Sequence, residues 1–234
     1  MIAGITKVRN EEAILEETLD HFAEICDAIY VYDDASTDNT VLIASSHPAV
    51  DVVVLGQDWN PNRFEAERYN RQMALEMAQM DAPEWIVCFD ADERFEMPSG
   101  WEKFDAVRMK LFDFYITAKD VGWDYGDRKW IGPEYRSIIM AYRNGPDIAF
   151  TIPDQREMKV PKSYRILDGG YVKHYGKAIS VEEWENTCDY YANHFPEPYR
   201  TKWANRRGKA IHTQSDFGRP LITWEQKQTH GIPM

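Results

Sequence analysis

The sequence predicts an α/β fold with a mainly parallel central sheet flanked by helices, and three observations carry that prediction. Short apolar, β-branched runs at 2–8, 28–32, 50–55 and 85–90 alternate with stretches whose apolar residues recur at helical spacing. The run at 85–90 is apolar on both alternating sets of positions, as expected of a parallel strand covered by helices on both faces. Polar turns rich in capping residues separate the segments, with no repeat, low-complexity tract or obvious linker. Strands alternating with helices imply βαβ units.

In chain order, Ile2 to Val8 is the first expected strand. Arg9-Asn10-Glu11-Glu12 follows, with Asn10 suited to an N-cap and the two glutamates to a first helical turn. Ile14, Leu15, Thr18, Leu19, Phe22 and Ile25 then share one helix face. Ala28 to Tyr32 is a second strand ending at Asp33-Asp34, and a short helix is expected through Ala44. Val50 to Leu55 makes a third strand, followed by a loop from Gly56 to Asn62. A helix from Arg63 to Met80 should bury Ala66, Tyr69, Met73, Met77 and Met80, and Trp85 to Asp90 is the fourth strand. A methionine row at this spacing is core packing more often than a cofactor contact.

Beyond Pro98 the rhythm changes. Strands are expected at 107–117, 135–142, 148–152, 164–167 and 170–175, helices at 182–194 and 199–209, and irregular chain from Thr213. The expected organisation is a single domain over 1–234: a first half at 1–97, a mixed half at 98–198 and a basic extension at 199–234.

Composition narrows the function classes. A chain of 234 residues can bury a substantial core. A net charge of −12 disfavours nonspecific nucleic-acid binding, which relies on Lys and Arg neutralising phosphates. The tail is the exception, with Arg200, Lys202, Arg206, Arg207, Lys209, Arg219 and Lys227 against Asp216 and Glu225. It is either a docking surface for an anionic partner or a solvated helix offsetting an acidic body. Cys26, Cys88 and Cys188 lack metal-ligand spacing and read as reduced thiols, so a cytoplasmic setting is expected. No leader-like segment opens the sequence, and no apolar run has the length of a membrane span, so any membrane contact would be peripheral.

The fourth strand ends in Asp90-Ala91-Asp92-Glu93. If extended geometry persists, Asp90 and Asp92 project together at the carboxyl edge, where open α/β sheets bind ligands. Two close carboxylates repel unless a cation lies between them, and hard oxygen donors suit Mg²⁺ or Mn²⁺. A lone Asp-x-Asp is weak, and a solvated acidic turn explains it equally well. Arg9-Asn10-Glu11-Glu12 and Asp33-Asp34 end strands on the same expected edge. Three acidic strand ends without a counter-charge would make a cleft that a divalent ion with a phosphorylated ligand neutralises.

These residues also resemble a family. Val8-Arg9-Asn10-Glu11-Glu12, then Asp33-Asp34-Ala35-Ser36-Thr37-Asp38-Asn39-Thr40, then Phe89-Asp90-Ala91-Asp92-Glu93 resembles the glycosyltransferase family 2 pattern of GT-A fold enzymes, across about the first hundred residues. The resemblance implies a GT-A (nucleotide-diphospho-sugar transferase) fold and metal-dependent transfer of a sugar from a nucleoside-diphosphate donor to an acceptor hydroxyl, with inversion. It implies that Val8, Arg9, Asn10 and Glu12 border the base and that Asp33 and Asp34 contact base or ribose. Asp92 is the implied Mn²⁺ or Mg²⁺ ligand, with Asp90 and Ala91 near the ribose or a metal-bound water. Arg68 and Arg71 are implied diphosphate contacts, and His174 a further metal ligand, against a structural role for that histidine. Lys173, Lys177 and Arg165 are further cations placed to neutralise diphosphate.

The second half lacks the Glu-Asp pair from which many relatives draw their catalytic base. Asp154, Glu157 and Asp127 are base candidates, with Asp124 and Glu134 also possible. Trp123, Tyr125 and Trp130, with Tyr135, are expected to form an acceptor platform or else to pack beneath the sheet. A glycan, a lipid-linked sugar, a protein side chain and a modified nucleobase all remain open as acceptors. The alternatives are a noncatalytic nucleotide-sugar-binding module and a sugar-phosphate nucleotidyltransferase. The second ordinarily carries a Gly-rich phosphate loop, which Val8-Arg9-Asn10-Glu11 is not.

Overall fold

The computed structural model describes residues 1–56, 59–60, 62–152 and 156–234. Part of the expected loop at 56–62 and the base candidate Asp154 therefore lie outside the described residues. The chain gathers into two compact units, each discontinuous in sequence: residues 1–109 with 138–170, and residues 110–137 with 171–234.

The first unit carries β1 (Ile2–Val8), α1 (Leu15–Ala23), β2 (Ala28–Asp33), α2 (Thr40–Ser46), β3 (Val50–Leu55), α3 (Arg63–Met80), β4 (Trp85–Phe89) and β5 (Glu93–Glu96). It also holds parts of β6 (Ala106–Phe114), β7 (Trp130–Arg143) and β8 (Ile166–His174). The strands lie in the order β3-β2-β1-β4-β7-β6-β8-β5. β1 pairs in parallel with both β2 and β4, and β2 with β3, whereas β7 runs antiparallel to β4. The α/β class and the mixed sheet are as expected. The register sets Val8 beside Asp33 and Thr6 beside Phe89, so the polar strand ends fall along one edge.

Strand alternation explains the helix layers. Ala3 and Ile5 of β1 and Ile86 and Cys88 of β4 join Ala74, Leu75 and Ala78 of α3 in one buried cluster. The opposite face takes α1, where Phe22 stacks on Phe89 at 3.6 Å and meets Phe95 edge-on at 4.8 Å. Gly4 lies on this second face. A Cβ there would come within 3.0 Å of Cys26 Sγ and 3.1 Å of the Phe89 ring, so glycine leaves the room these two side chains occupy.

The second unit contains α4 (Val181–His194), α5 (Tyr199–Ala204), β9 (Ile222–Thr223), α6 (Lys227–His230) and β10 (Ile232–Pro233). Its aromatic core joins Trp184, Cys188 and Trp203, with Tyr191 stacked on Trp203 at 4.7 Å. Ser180 caps α4, its side chain accepting from the Glu183 N–H at 3.0 Å.

Several expectations change. Asn10 is not the α1 cap: it adopts a positive φ of 52°, and α1 begins five residues later, after a turn closed by Glu11. In α3, Met80 and Tyr69 are exposed, while Ala74, Leu75 and Ala78 form the buried stripe. Small residues allow the closer approach to the sheet there. The run at 148–152 is no strand beyond a single bridge between Ala149 and Lys159. The two runs expected at 164–175 form one strand, β8, and the chain after Thr213 adds β9 and β10 to β7.

Burial of Phe89 against Phe22 generates a stability prediction. Phe89→Ala is expected to lower the unfolding free energy by about 3–5 kcal/mol, measured by urea denaturation. A loss under about 1 kcal/mol would show that the α1 face is not packed as described.

Candidate functional site

At the carboxyl edge of β1, β2 and β4, the loop after β1 is braced against the loop after β2. Arg9 donates to the carbonyls of Asp34 and of Ala35, the latter at 2.7 Å. Asn10 Oδ1 accepts from the Thr37 N–H at 2.8 Å, and Glu12 Oε2 accepts from Asn39 N at 3.0 Å and Nδ2 at 2.8 Å. Asp38 accepts from Glu12 N–H at 3.2 Å, and the Thr40 hydroxyl from Glu11 N–H at 2.7 Å. The Asp-Asp-x-Ser-x-Asp-x-Thr segment thus works largely as a scaffold, satisfying backbone donors of the neighbouring loop.

The acidic edge does have counter-charges, and here the sequence reading needs correction. Arg63, with its side chain wholly buried, pairs with the buried Asp34 and lies 3.5 Å from Glu67. Glu67 accepts from Lys7 at 2.6 Å and sits 3.8 Å from Arg71. Arg71 NH2 reaches Asp90 Oδ1 at 2.7 Å, and Arg156 NH1 reaches Asp90 Oδ2 at 3.2 Å. Arg156 also grips the fully buried Glu93 with both terminal nitrogens. Lys7, Arg63, Arg71 and Arg156 therefore alternate with Asp34, Glu67, Asp90 and Glu93. Burial alone would push the Asp90 carboxyl up. The Arg156 and Arg71 guanidiniums override that and hold it well below the usual carboxylate range.

Asp33 is 2% exposed, and its two oxygens differ. Oδ2 accepts from the Ser36 N–H at 3.0 Å, whereas Oδ1 is buried with no hydrogen-bond partner. Of the acidic pair, Asp33 is thus the residue with an acceptor left to offer, because Asp34 is taken up by Arg63. An orphaned buried acceptor in a native site calls for an explanation, and a ligand donor supplies one.

Extended geometry does not persist past Phe89. Residues 90–93 form a turn closed by the Glu93 N–H on the Asp90 carbonyl at 3.2 Å, so period-two alternation does not set the directions of Asp90 and Asp92. The Thr18 hydroxyl donates to the Ala91 carbonyl, and Glu93 Oε2 accepts from the Asp90 N–H at 3.1 Å. Asp92 is half-buried on this turn. Among the described residues, no group of three or more His, Cys, Asp and Glu converges as a metal cage. Both Asp90 oxygens face guanidiniums, so a cation at this motif would have to be held by Asp92, the half-buried carboxylate on the turn. Mg²⁺-type ions commonly take one or two protein carboxylates and complete their shell with phosphate and water oxygens, and this donor set fits such an ion.

The remaining expected residues divide clearly. Arg68 pairs with Glu65 at 3.1 Å on the helix surface, so of the two arginines Arg71 is the one at the edge. Arg165 pairs with Asp105 at 3.1 Å. Glu157 accepts from the Ile139 N–H at 2.8 Å. In the second unit, His174 Nδ1 lies 2.6 Å from Asp113, which also accepts from Lys177 at 2.6 Å and Arg136 at 2.7 Å. Lys177 additionally donates to Asp216 at 2.8 Å, and Lys173 lies 5.3 Å over the Trp224 ring. Tyr125 is 6% exposed and packs edge-on against Tyr175 at 5.2 Å, so it is core and not an open platform. Trp123 is 46% exposed and lines a depression of about 390 Å³ with Asp127 and Lys129. Trp130 is half-buried beneath Lys119, whose Nζ is 4.4 Å from its ring centroid. Asp124 caps the turn at 125–127, and the half-buried Glu134 receives Ser215 Oγ at 3.1 Å and Arg219 at 3.3 Å. In the basic tail, Arg206 pairs with Asp216 at 2.6 Å and Arg207 with Asp189 at 2.5 Å.

Sequence reasoning missed Lys7, Arg63, Glu67, Glu93 and Arg156. One signal was available: Arg63, Glu67 and Arg71 recur at i,i+4 spacing, a stripe that faces the edge once α3 lies on β1.

Comparison with known proteins bears on the same region. Residues 5–104 match the sequence profile of glycosyl transferase family 2. Over 93 residues the chain is 38% identical to an uncharacterized protein of Mycobacterium tuberculosis and to one of Mycobacterium bovis, covering 39% of this chain. The matched segment spans 23% of each relative's length. Among solved structures, S. aureus TarS 1–349 in complex with UDP aligns over 88% of this chain and 71% of that one, at 16% identity and a TM-score of 0.45. Glucosyl-3-phosphoglycerate synthase from Mycobacterium tuberculosis, with phosphoglyceric acid, aligns over 48% and 44%, at 24% identity and a TM-score of 0.31.

The depressed Asp90 carboxyl gives a signed pH prediction. Its native stabilisation is present above the unfolded value of about 4 and is lost as pH falls below it toward the folded value. Asp90→Asn is therefore expected to be less stable than wild type at pH 7, with the difference shrinking below about pH 4 in urea unfolding. Parallel stability curves for the two proteins across that range would contradict the Asp90–Arg71–Arg156 pairing.

Proposed function

We propose that this glycosyltransferase family 2-like chain transfers a sugar from a nucleoside-diphosphate donor to an acceptor hydroxyl, with inversion at the anomeric carbon. The observation that carries the reading is the edge shared by β1, β2 and β4. There the orphaned Asp33 Oδ1 and the Asp90-Ala91-Asp92 turn flank a charge-matched row of ion pairs. A buried carboxylate oxygen asks for an N–H, which the pairing edges of uracil and guanine provide. Arg71, paired with Asp90, is the α3 cation proposed to meet the diphosphate.

Asp92 would hold Mn²⁺ or Mg²⁺, which when bound stabilises the charge developing on the departing diphosphate. The protein's own part is to fix the nucleoside at Asp33, to hold the Asp90–Glu93 turn rigid, and to remove the acceptor proton with a carboxylate. The depression lined by Trp123, Asp127 and Lys129 is the proposed acceptor surface, because a sugar face stacks on an exposed aromatic ring. The base stays among Asp127, which is exposed in that depression, Glu157, whose carboxylate accepts a backbone N–H, and Asp154. All three cysteines are buried free thiols, which supports a reducing, cytoplasmic setting. No described helix is long and apolar enough to cross a membrane.

A thermal-shift panel of uridine, cytidine, guanosine and adenosine diphosphates, each with and without Mn²⁺, tests the reading. A pyrimidine or guanine diphosphate is expected to stabilise the protein when Mn²⁺ is present, by about 2.7 kcal/mol at a hundredfold excess over Kd. Asp92→Ala should abolish the Mn²⁺-dependent part. Equal shifts in the variant would remove Asp92 from the metal role. Release of nucleoside diphosphate from a donor sugar would then separate an enzyme from a binding module.

A further inference from the structure

We infer that Arg156 is a positioning residue for the donor site, clamping the Asp90–Glu93 turn so that Asp92 is presented in a fixed place; this rests on the donor reading above. Arg156 lies 63 residues beyond Glu93, yet its NH1 and NH2 take both Glu93 oxygens in a fork. The same NH1 is 3.2 Å from Asp90 Oδ2. Glu93 in turn holds the turn twice, through its Oε2 on the Asp90 N–H and its own N–H on the Asp90 carbonyl. The Glu93 carboxylate is fully buried, so without Arg156 it would be an uncompensated interior charge and the turn would have to rearrange.

The planar guanidinium matters as much as the charge. One fork reaches two carboxylates on the first and last residues of the turn, which a point charge on a flexible stem cannot reproduce. Partners that orient a metal-binding carboxylate typically change metal affinity by about 10–100-fold when removed. Arg156 would therefore act on metal and diphosphate binding without touching the nucleoside, whose proposed partner Asp33 ends β2, separated from β4 by β1.

The test compares wild type, Arg156→Lys and Glu93→Gln by isothermal titration with uridine diphosphate plus Mn²⁺ and with uridine plus no metal, using guanosine in the same pairing if the panel selects guanine. Both variants are expected to weaken Mn²⁺–diphosphate binding about tenfold or more while leaving nucleoside binding within about twofold. A purely structural role would lower the melting temperature and weaken both ligands alike, or neither, and either result overturns the inference. Arg156→Lys keeps the buried positive charge, so it guards against simple unfolding. If wild type itself binds no diphosphate in the presence of Mn²⁺, the donor reading fails and this inference fails with it. If wild type binds and Arg156→Lys binds equally, the inference alone fails.

Discussion

The buried alternation of charge along the carboxyl edge of β1, β2 and β4 is the interaction on which the rest depends. A buried carboxylate is tolerated only when its desolvation is offset by a paired, hydrogen-bonded cation. Here the offsets are shared: Glu67 lies between Lys7, Arg63 and Arg71, and Asp90 between Arg71 and Arg156. Sharing makes the row cooperative, because removing one member leaves two neighbours under-compensated. It also ties α3, three strand ends and the segment after 155 into one electrostatic unit.

That arrangement changes how the acidic motif should be understood. The sequence suggested a cleft of like charges waiting for a cation. In the fold, most of those carboxylates are structural: Asp34 anchors α3 through Arg63, and Asp90 anchors the turn through two arginines. Asp38 and Glu12 satisfy backbone donors across two loops. The proposed ligand chemistry therefore rests on fewer groups than the motif contains, chiefly Asp33 and Asp92.

The first hundred residues were legible because local signals agreed. Apolar runs, caps and helical periodicity gave β1 to β4 and α3 nearly to the residue, and the motifs that resemble family 2 lie at the strand ends, within the segment that matches its profile. The second half was less legible for physical reasons. β7 is half-buried and long, with Gly132 and Pro133 near its start, so its strand pattern is broken in sequence. The contacts that matter are also remote: Arg156 to Glu93 spans 63 residues and Asp113 to His174 spans 61. Single-sequence periodicity carries no information at that range. Tyr125 illustrates the same limit, since aromatic composition does not distinguish a platform from a core ring.

Anomalous diffraction from a crystal soaked in Mn²⁺ and a nucleoside diphosphate tests the account most directly, because it locates the cation independently of activity. The account predicts a manganese peak at the Asp92 carboxylate, with Asp90 still bonded to Arg71 and Arg156. A peak on Asp90 with those arginines displaced, or one remote from the turn, would contradict it.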